Sequence, residues 1–195
     1  MTFRTVTKII LAGLFTIGAT VLSGQRKEIN FTSLTTKDGL SSNTVNAILK
    51  DRYGIIWFAT DDGLDKFDGT HFTVYRHKAG DPASLGANEI LSLHEDKAGN
   101  LWVGTSGGSL SLYDRKKDAF SAIPSGWAPN SITSNVIRAI CSDYTGKIWV
   151  AHLDGVSIVD PATKKVSLIP AAQISGSTVN MPGICLFEDS RQLTG

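Results

Sequence analysis

The chain of 195 residues carries 19 basic and 18 acidic side chains, a formal net charge of +1, with 42% hydrophobic and 19% charged residues. Such a balance offers no electrostatic footprint for nucleic acid or an anionic membrane surface, and the hydrophobic content excludes a disordered chain. Two cysteines exclude a disulfide-rich scaffold and a four-cysteine zinc site.

In chain order, the first feature is a targeting signal. Arg4 and Lys8 precede an uncharged apolar run over residues 9–22, then small residues Ser23 and Gly24, then the polar Gln25-Arg26-Lys27-Glu28. This order is that of a secretory signal peptide, so residues 1–24 are expected to be removed. The apolar run falls short of the about 20 residues of a comfortable membrane span. Removing Arg4 and Lys8 takes the net charge from +1 to −1.

The remainder repeats. Trp57, Trp102 and Trp149 stand 45 and 47 residues apart in matching frames. Six residues before each stands an Asp (Asp51, Asp96, Asp143), three before a Gly (Gly54, Gly99, Gly146), and six after a Gly (Gly63, Gly108, Gly155). Asp189 continues the frame 46 residues after Asp143. Each repeat reads as four short strands between Asp/Gly turns. The first gives Val45–Leu49, Ile55–Thr60, Leu64–Phe67 and Phe72–Tyr75; the second Ile90–His94, Asn100–Thr105, Ser109–Tyr113 and Ala119–Ile123. The third gives Val136–Cys141, Lys147–Ala151, Val156–Val159 and Lys165–Ile169.

Four antiparallel strands every 45 or so residues is the period of a β-propeller blade, and a β-sandwich predicts no such fixed frame. The expected fold is all-β: an outer strand and lead-in over 29–39, blade 1 over 40–84, blade 2 over 85–131, blade 3 over 132–173, and the start of a fourth blade over 174–195. Closed propellers need about four to eight blades, so the chain is expected to be an incomplete propeller cut from a larger protein. The tryptophans should fill the space between blades, each with a partner for its indole N–H.

Gly39-Leu-Ser-Ser-Asn43, followed by Val45, Ile48, Asp51, Gly54, Trp57, Thr60, Gly63, Leu64, Phe67 and Asp68, resembles the two-component regulator propeller repeat. The resemblance runs from residue 29 to about 190. It departs from the pattern at Ala151 and at His152, which replaces a Thr, and later at Gln192 and Gly195. It implies the periplasmic sensor region of a hybrid histidine kinase of the Bacteroidetes type, anchored in the inner membrane when full-length. The implied partners are the remaining blades, the kinase modules and a small-molecule or oligosaccharide ligand. No kinase core is encoded in these residues, so the chain is not expected to be an enzyme. The alternatives are a fragment of a lyase-like propeller enzyme or an interaction scaffold.

Strand parity sorts the loops. The Asp-x-x-Gly turns share one end with Asp68, Asp114 and Asp160 and suit a structural role. The other end gathers Asp61-Asp62, Ser106-Gly107, His152-Leu-Asp154 and the linkers 76–85 and 124–132. Loop-rich ends carry binding, which makes Arg76, His77, Trp127 and His152 the candidate ligand residues; plain packing of Trp127 and a hydrogen-bonded substitution at His152 are the alternatives. No metal or cofactor is expected. His71, His77 and His94 lack metal spacing, and the acidic run 61–68 lacks the alternating ligands and closing Glu of a calcium loop. Gly104-Thr-Ser-Gly107-Gly108 lacks the Lys-Ser/Thr of a phosphate loop. Cys141 and Cys185 lie on the innermost strands of neighbouring repeats. They could pair after export or sit as two buried small side chains.

Overall fold

The computed structural model describes residues 31–171 and 173. The expected signal peptide, Cys185 and the expected start of a fourth blade from residue 174 lie outside the described residues. Twelve strands fall in three four-stranded antiparallel sheets, each with its strands in sequence order. The first holds β1 (Val45–Lys50), β2 (Ile56–Thr60), β3 (Gly63–Phe67) and β4 (Phe72–Tyr75); the second β5 (Ile90–Glu95), β6 (Leu101–Thr105), β7 (Leu110–Asp114) and β8 (Ala119–Ala122); the third β9 (Ile137–Ser142), β10 (Ile148–His152), β11 (Gly155–Val159) and β12 (Val166–Pro170). Every strand end lies within one residue of the sequence expectation. The described part of the expected outer strand, residues 31–34, is not in a strand.

The repeat signature has a local physical cause. Asp51, Asp96 and Asp143 each accept, on Oδ1, the backbone N–H groups two and four residues on, at 2.8–3.1 Å. The same residue's Oδ2 accepts the indole Nε1–H of Trp57, Trp102 or Trp149 at 2.8–2.9 Å. One carboxylate therefore closes the β-turn and satisfies the buried indole. The Gly three residues on adopts φ of +84 to +89°, a conformation that glycine reaches without the clash a side chain meets.

Trp57 and Trp102 each pack against the next sheet. Trp57 is buried with Leu85, Ile90, Leu101, Val103, Tyr113 and Phe120, all from the second sheet or its lead-in. Trp102 is buried with Ile132, Ile137, Ile148 and Val159 of the third. Burial of one such ring removes about 150–250 Å² from water, roughly 4–6 kcal/mol as an upper figure. Trp149 is only half-buried among the described residues. Cys141 sits half-buried in β9 opposite Trp149.

Ion pairs reinforce the first interface. Arg115 on the second sheet's outer turn reaches Asp51 at 2.8 Å and Glu95 at 3.3 Å, while Arg52 reaches Glu95 at 3.2 Å. Arg52 also donates to the carbonyls of Asp96 and Lys97, and Lys97 repeats the contact one blade on by donating to the Tyr144 carbonyl.

The frame shifts in one place. Gly63 stands opposite Thr60 and Gly155 opposite His152, and the Thr60 hydroxyl donates to the Gly63 carbonyl at 2.9 Å. In the second sheet the Thr105 hydroxyl makes this bond with Ser109, not Gly108. The turn there is one residue longer, so Ser109 takes the glycine's place with φ of +64°. Gly108 instead packs backbone to backbone on Gly86, where a Cβ on either would collide with the other. Gly108 thus keeps its place in the sequence frame but not in the structural one.

Candidate functional site

The end of the sheets that carries the β2–β3, β6–β7 and β10–β11 turns also carries the linkers, and the four sequence-derived candidates map there. Arg76 is exposed and ties the linker after β4 to the β2–β3 turn, with Nη2 3.0 Å from the Asp62 carboxylate and Nε donating to the Asp62 carbonyl at 2.9 Å. His77 is exposed too, its Nδ1 2.7 Å from the Leu85 carbonyl. Trp127 is 83% exposed. It stands on a loop closed upon itself by Gly126 N–H to the Ile132 carbonyl at 2.8 Å and Ile132 N–H to the Pro124 carbonyl at 2.9 Å. The packing expected as the alternative for Trp127 is therefore not what its exposure reflects.

His152 does not reach the surface. It is fully buried at the end of β10. Its Nε2 lies 2.8 Å from the Ser157 hydroxyl and its Nδ1 accepts the Asp154 N–H at 3.3 Å. That second bond fixes the tautomer, with the proton on Nε2. The ring thus does in the third sheet what the Thr60 hydroxyl does in the first, where Oγ1 accepts the Asp62 N–H at 3.1 Å. Burial holds the imidazole pKa below its ordinary value, against the pull of Asp154. Among the described residues no hydrogen bond joins any two of the four candidates.

What the structure does assemble at this end is a cleft of about 390 Å³ between the linker and the β10–β11 turn. Its walls include Ser125, Thr133, Ser134, Asn135, Leu153 and Asp154. Ser134 uses its hydroxyl locally, accepting the Val136 N–H at 3.2 Å. Asn135 accepts on its backbone carbonyl from the N–H groups of Gly107 and Ser109, which pins the cleft to the neighbouring sheet. Asp154 is the one charged side chain among the described lining residues.

Sequence reasoning missed two features here. A bulge recurs in the first strand of every sheet, at Asn46, Leu91 and Arg138, where the register with the second strand shifts. Bulges turn a side chain away from the ladder, and Asn46 uses this to donate to the Ile90 carbonyl and the Asp61 carboxylate, both at 2.9 Å. The second is a polar cluster joining the lead-in, β2 and β3 of the first sheet. The Ser41 hydroxyl lies 2.7 Å from Thr60 Oγ1 and donates to buried Asp65 at 2.9 Å. Burial pushes the Asp65 carboxyl above its ordinary pKa. The signal was present in the recurring Leu/Ile-x-x-Asn lead-in at 40–43, 85–88 and 132–135, but a spacing does not name hydrogen-bond partners.

The pattern of the two-component regulator propeller family matches residues 39–62 and 84–107. Each of these two segments is similar to one two-component regulator propeller repeat. Over 72 residues the sequence is 42% identical to a histidine kinase P4 of Formosa agariphila, covering 37% of this chain and 5% of that protein. The structure is similar to the extracellular domain assigned to a hybrid two-component system of B. thetaiotaomicron, with TM-score 0.68 and 28% identity over 76% of this chain and 21% of that one. A second B. thetaiotaomicron extracellular domain, at TM-score 0.57 and 23% identity over 75% of this chain and 21% of that one, shares the fold. The chain thus spans about a fifth of the solved relatives and a twentieth of the kinase. What matches in the solved relatives is an extracellular domain. Among the described residues no helix is long and apolar enough to cross a membrane.

Proposed function

We propose that these repeats form part of the extracytoplasmic, non-catalytic ligand-sensing propeller of a two-component sensor, exported by residues 1–24, with an oligosaccharide as ligand. In this reading the kinase modules of a full-length sensor receive the signal across the inner membrane. The observation that carries the reading is Trp127. The frame tryptophans Trp57 and Trp102 are fully buried behind neighbouring sheets, whereas Trp127 lies outside the frame and is 83% exposed on a hydrogen-bonded loop. An exposed indole on such a loop offers the apolar face on which a sugar ring stacks. Arg76 and His77 lie on the other linker of the same end, each already tied to neighbouring backbone.

The test is a binding titration of the full chain against a panel of oligosaccharides, read by tryptophan fluorescence and calorimetry, beside Trp127→Ala. Binding that changes fluorescence in the parent chain and is lost in Trp127→Ala supports the reading. A panel that fails to bind at millimolar concentration overturns it.

A further inference from the structure

A second cleft, of about 320 Å³, opens between the second and third sheets at the end of the Asp-x-x-Gly turns, opposite the linkers. The repeat explains it. In the first interface Arg115 reaches Asp51 at 2.8 Å, donates to the Gly99 carbonyl at 3.2 Å and lies over the Tyr53 ring at 4.8 Å. One repeat on, counted from Asp96 and Asp143, the counterparts of those three residues are Asp96, Gly146 and Ala98, and all three line the cleft. The counterpart of Arg115 is Pro161. Asp114 and Asp160 each close the same turn by accepting the N–H groups two and three residues on, and Arg115 and Pro161 are the residues that follow them. With Tyr53 exchanged for Ala98 and Arg115 for Pro161, the space of a ring and a guanidinium is left open.

The first interface also shows what such a place holds. Arg52 grips the Glu95 carboxylate twice, by its backbone N–H to Oε2 at 2.9 Å and by Nε at 3.2 Å from Oε1, and Arg115 Nη2 lies 3.3 Å from the same Oε1. In the second interface Lys97 takes the place of Arg52 and lies the same way. Its Nζ donates to the Tyr144 carbonyl at 3.2 Å, as Arg52 Nη2 donates to the Lys97 carbonyl at 3.0 Å. The place of Glu95, however, is taken by Ser142, whose hydroxyl is 3.0 Å from His94 Nε2. Lys97 therefore keeps both donors without the carboxylate: among the described residues its backbone N–H has no partner and its ammonium no ion pair. Lys147, exposed on the turn before β10, lines the same cleft and has no ion pair among the described residues either. The two carboxylates in the walls are already held by donors. Asp96 accepts from the Ala98 and Asn100 N–H groups, the Asn100 amide and the Trp102 indole, and Asp160 accepts from Ala162 and Thr163.

We infer that this cleft binds a ligand carboxylate, which takes against Lys97 the place that Glu95 takes against Arg52, with Lys147 as the second cation and Ala98 and Pro161 as walls for the ligand's body. The site lies at the opposite end from Trp127 and uses none of the four linker-end candidates, so it stands apart from the sensing reading above. The charges match the template. The first interface holds Glu95 and Asp51 under Arg52 and Arg115, whereas the second sets Lys97 and Lys147 beside Asp96 with no counterpart of Glu95. A carboxylate held by an ammonium and a backbone N–H makes the short, charge-assisted kind of hydrogen bond. A sugar acid and an acidic amino-acid side chain both present that group, and a cleft at the lower end of ligand-site sizes admits either.

The experiment is a titration of the isotope-labelled full chain followed by heteronuclear NMR. The probes are digalacturonate, the neutral galactobiose of the same linkage, and N-acetyl-glutamate amide. The expected result is that at least one carboxylate probe shifts the amide signals of Lys97, Ala98 and Lys147, with galactobiose weaker by about tenfold or more. The tighter of the two carboxylate probes names the source, a sugar acid or an acidic side chain. Lys97→Gln should weaken binding about tenfold and Lys147→Gln about threefold. Ser142→Glu, which supplies the carboxylate from within the chain as Glu95 does, should displace the probe. Lys116→Gln removes an exposed lysine at the same end that does not line the cleft, and should leave the affinity unchanged. Equal affinity for galactobiose, a Lys97→Gln variant that binds like the parent, a loss in Lys116→Gln as large as in Lys97→Gln, or no shift of these amides at millimolar probe would each overturn the inference, and none of them touches the reading at Trp127.

Discussion

The clearest test of the repeat chemistry is Asp96→Ala. Asp96 Oδ2 accepts the Trp102 indole N–H at 2.9 Å and the Asn100 side-chain amide at 2.8 Å, and Oδ1 accepts the Ala98 and Asn100 backbone N–H groups at 2.9 Å. Truncation strands the indole donor first. Trp102 has no exposure and is packed among Leu110, Ile137, Ile148 and Val159, so water cannot replace the carboxylate. A buried donor left without a partner costs about 1–3 kcal/mol. Ala98 is exposed and Asn100 half-buried, so water takes over there at about 0.5 kcal/mol per bond. The expected loss is about 3 kcal/mol, near a 10 °C fall in Tm for a chain of this size. Denaturant unfolding followed by fluorescence measures it. The decisive control is the cycle with Trp102→Phe, which removes the donor and keeps most of the ring. If the stranded indole is the main cost, Asp96→Ala should be milder in the Phe background by about 1.5 kcal/mol. Asp143→Ala should also cost less than Asp96→Ala, since Trp149 is only half-buried and its indole can reach water. Equal costs at Asp96 with and without the indole, or a larger cost at Asp143, would refute the reasoning.

Three further outcomes are expected. His152 is held neutral by burial, below its ordinary pKa. The unfolded chain therefore takes up more protons as the pH falls, and the stability His152 contributes, full above about pH 6.5, is lost as the pH drops towards the folded value; His152→Thr should flatten that part of a pH–denaturation profile, with a residual slope from His94, whose pKa is also lowered by burial. Ser109→Gly should raise stability by about 1 kcal/mol in urea unfolding, because Ser109 holds φ of +64° and its buried hydroxyl has no partner, where the first and third sheets use glycine; a loss of stability would show that the serine is doing something the turn geometry does not reveal. Trp127→Ala should change the unfolding free energy by no more than about 0.5 kcal/mol, as befits an exposed loop residue, so any loss of ligand binding in that variant cannot be traced to unfolding.

Much of this architecture is carried by short-range chemistry and is therefore legible in one dimension. A 45-residue period with Asp, Gly and Trp at fixed offsets fixes the turns, because the Asp carboxylate bonds backbone groups only two and four residues away and the Gly must turn through positive φ. Period-two strands follow between such turns, which is why every strand end falls within one residue of its expected place. The need of each tryptophan for an indole partner is likewise readable. That the same Asp provides it follows only once the turn folds back over six residues.

What the tertiary structure decides is what depends on distance across sheets. One inserted residue moves the glycine role from Gly108 to Ser109, a slip that frame counting cannot see because the Trp-to-Gly spacing is preserved. In sequence His152 reads either as a recognition residue or as a hydrogen-bonded substitution at a strand end. The fold buries it against Ser157 of β11, and its two ring nitrogens take the place of a threonine hydroxyl. The cleft at Thr133 exists because a linker and a turn some 20 residues apart meet. The sequence by itself determines the repeat, the blade and its staples, each a matter of neighbours along one chain. Which hydroxyl is left unpaired is decided by packing between elements, where a single His-for-Thr exchange redirects a hydrogen bond without disturbing the pattern around it.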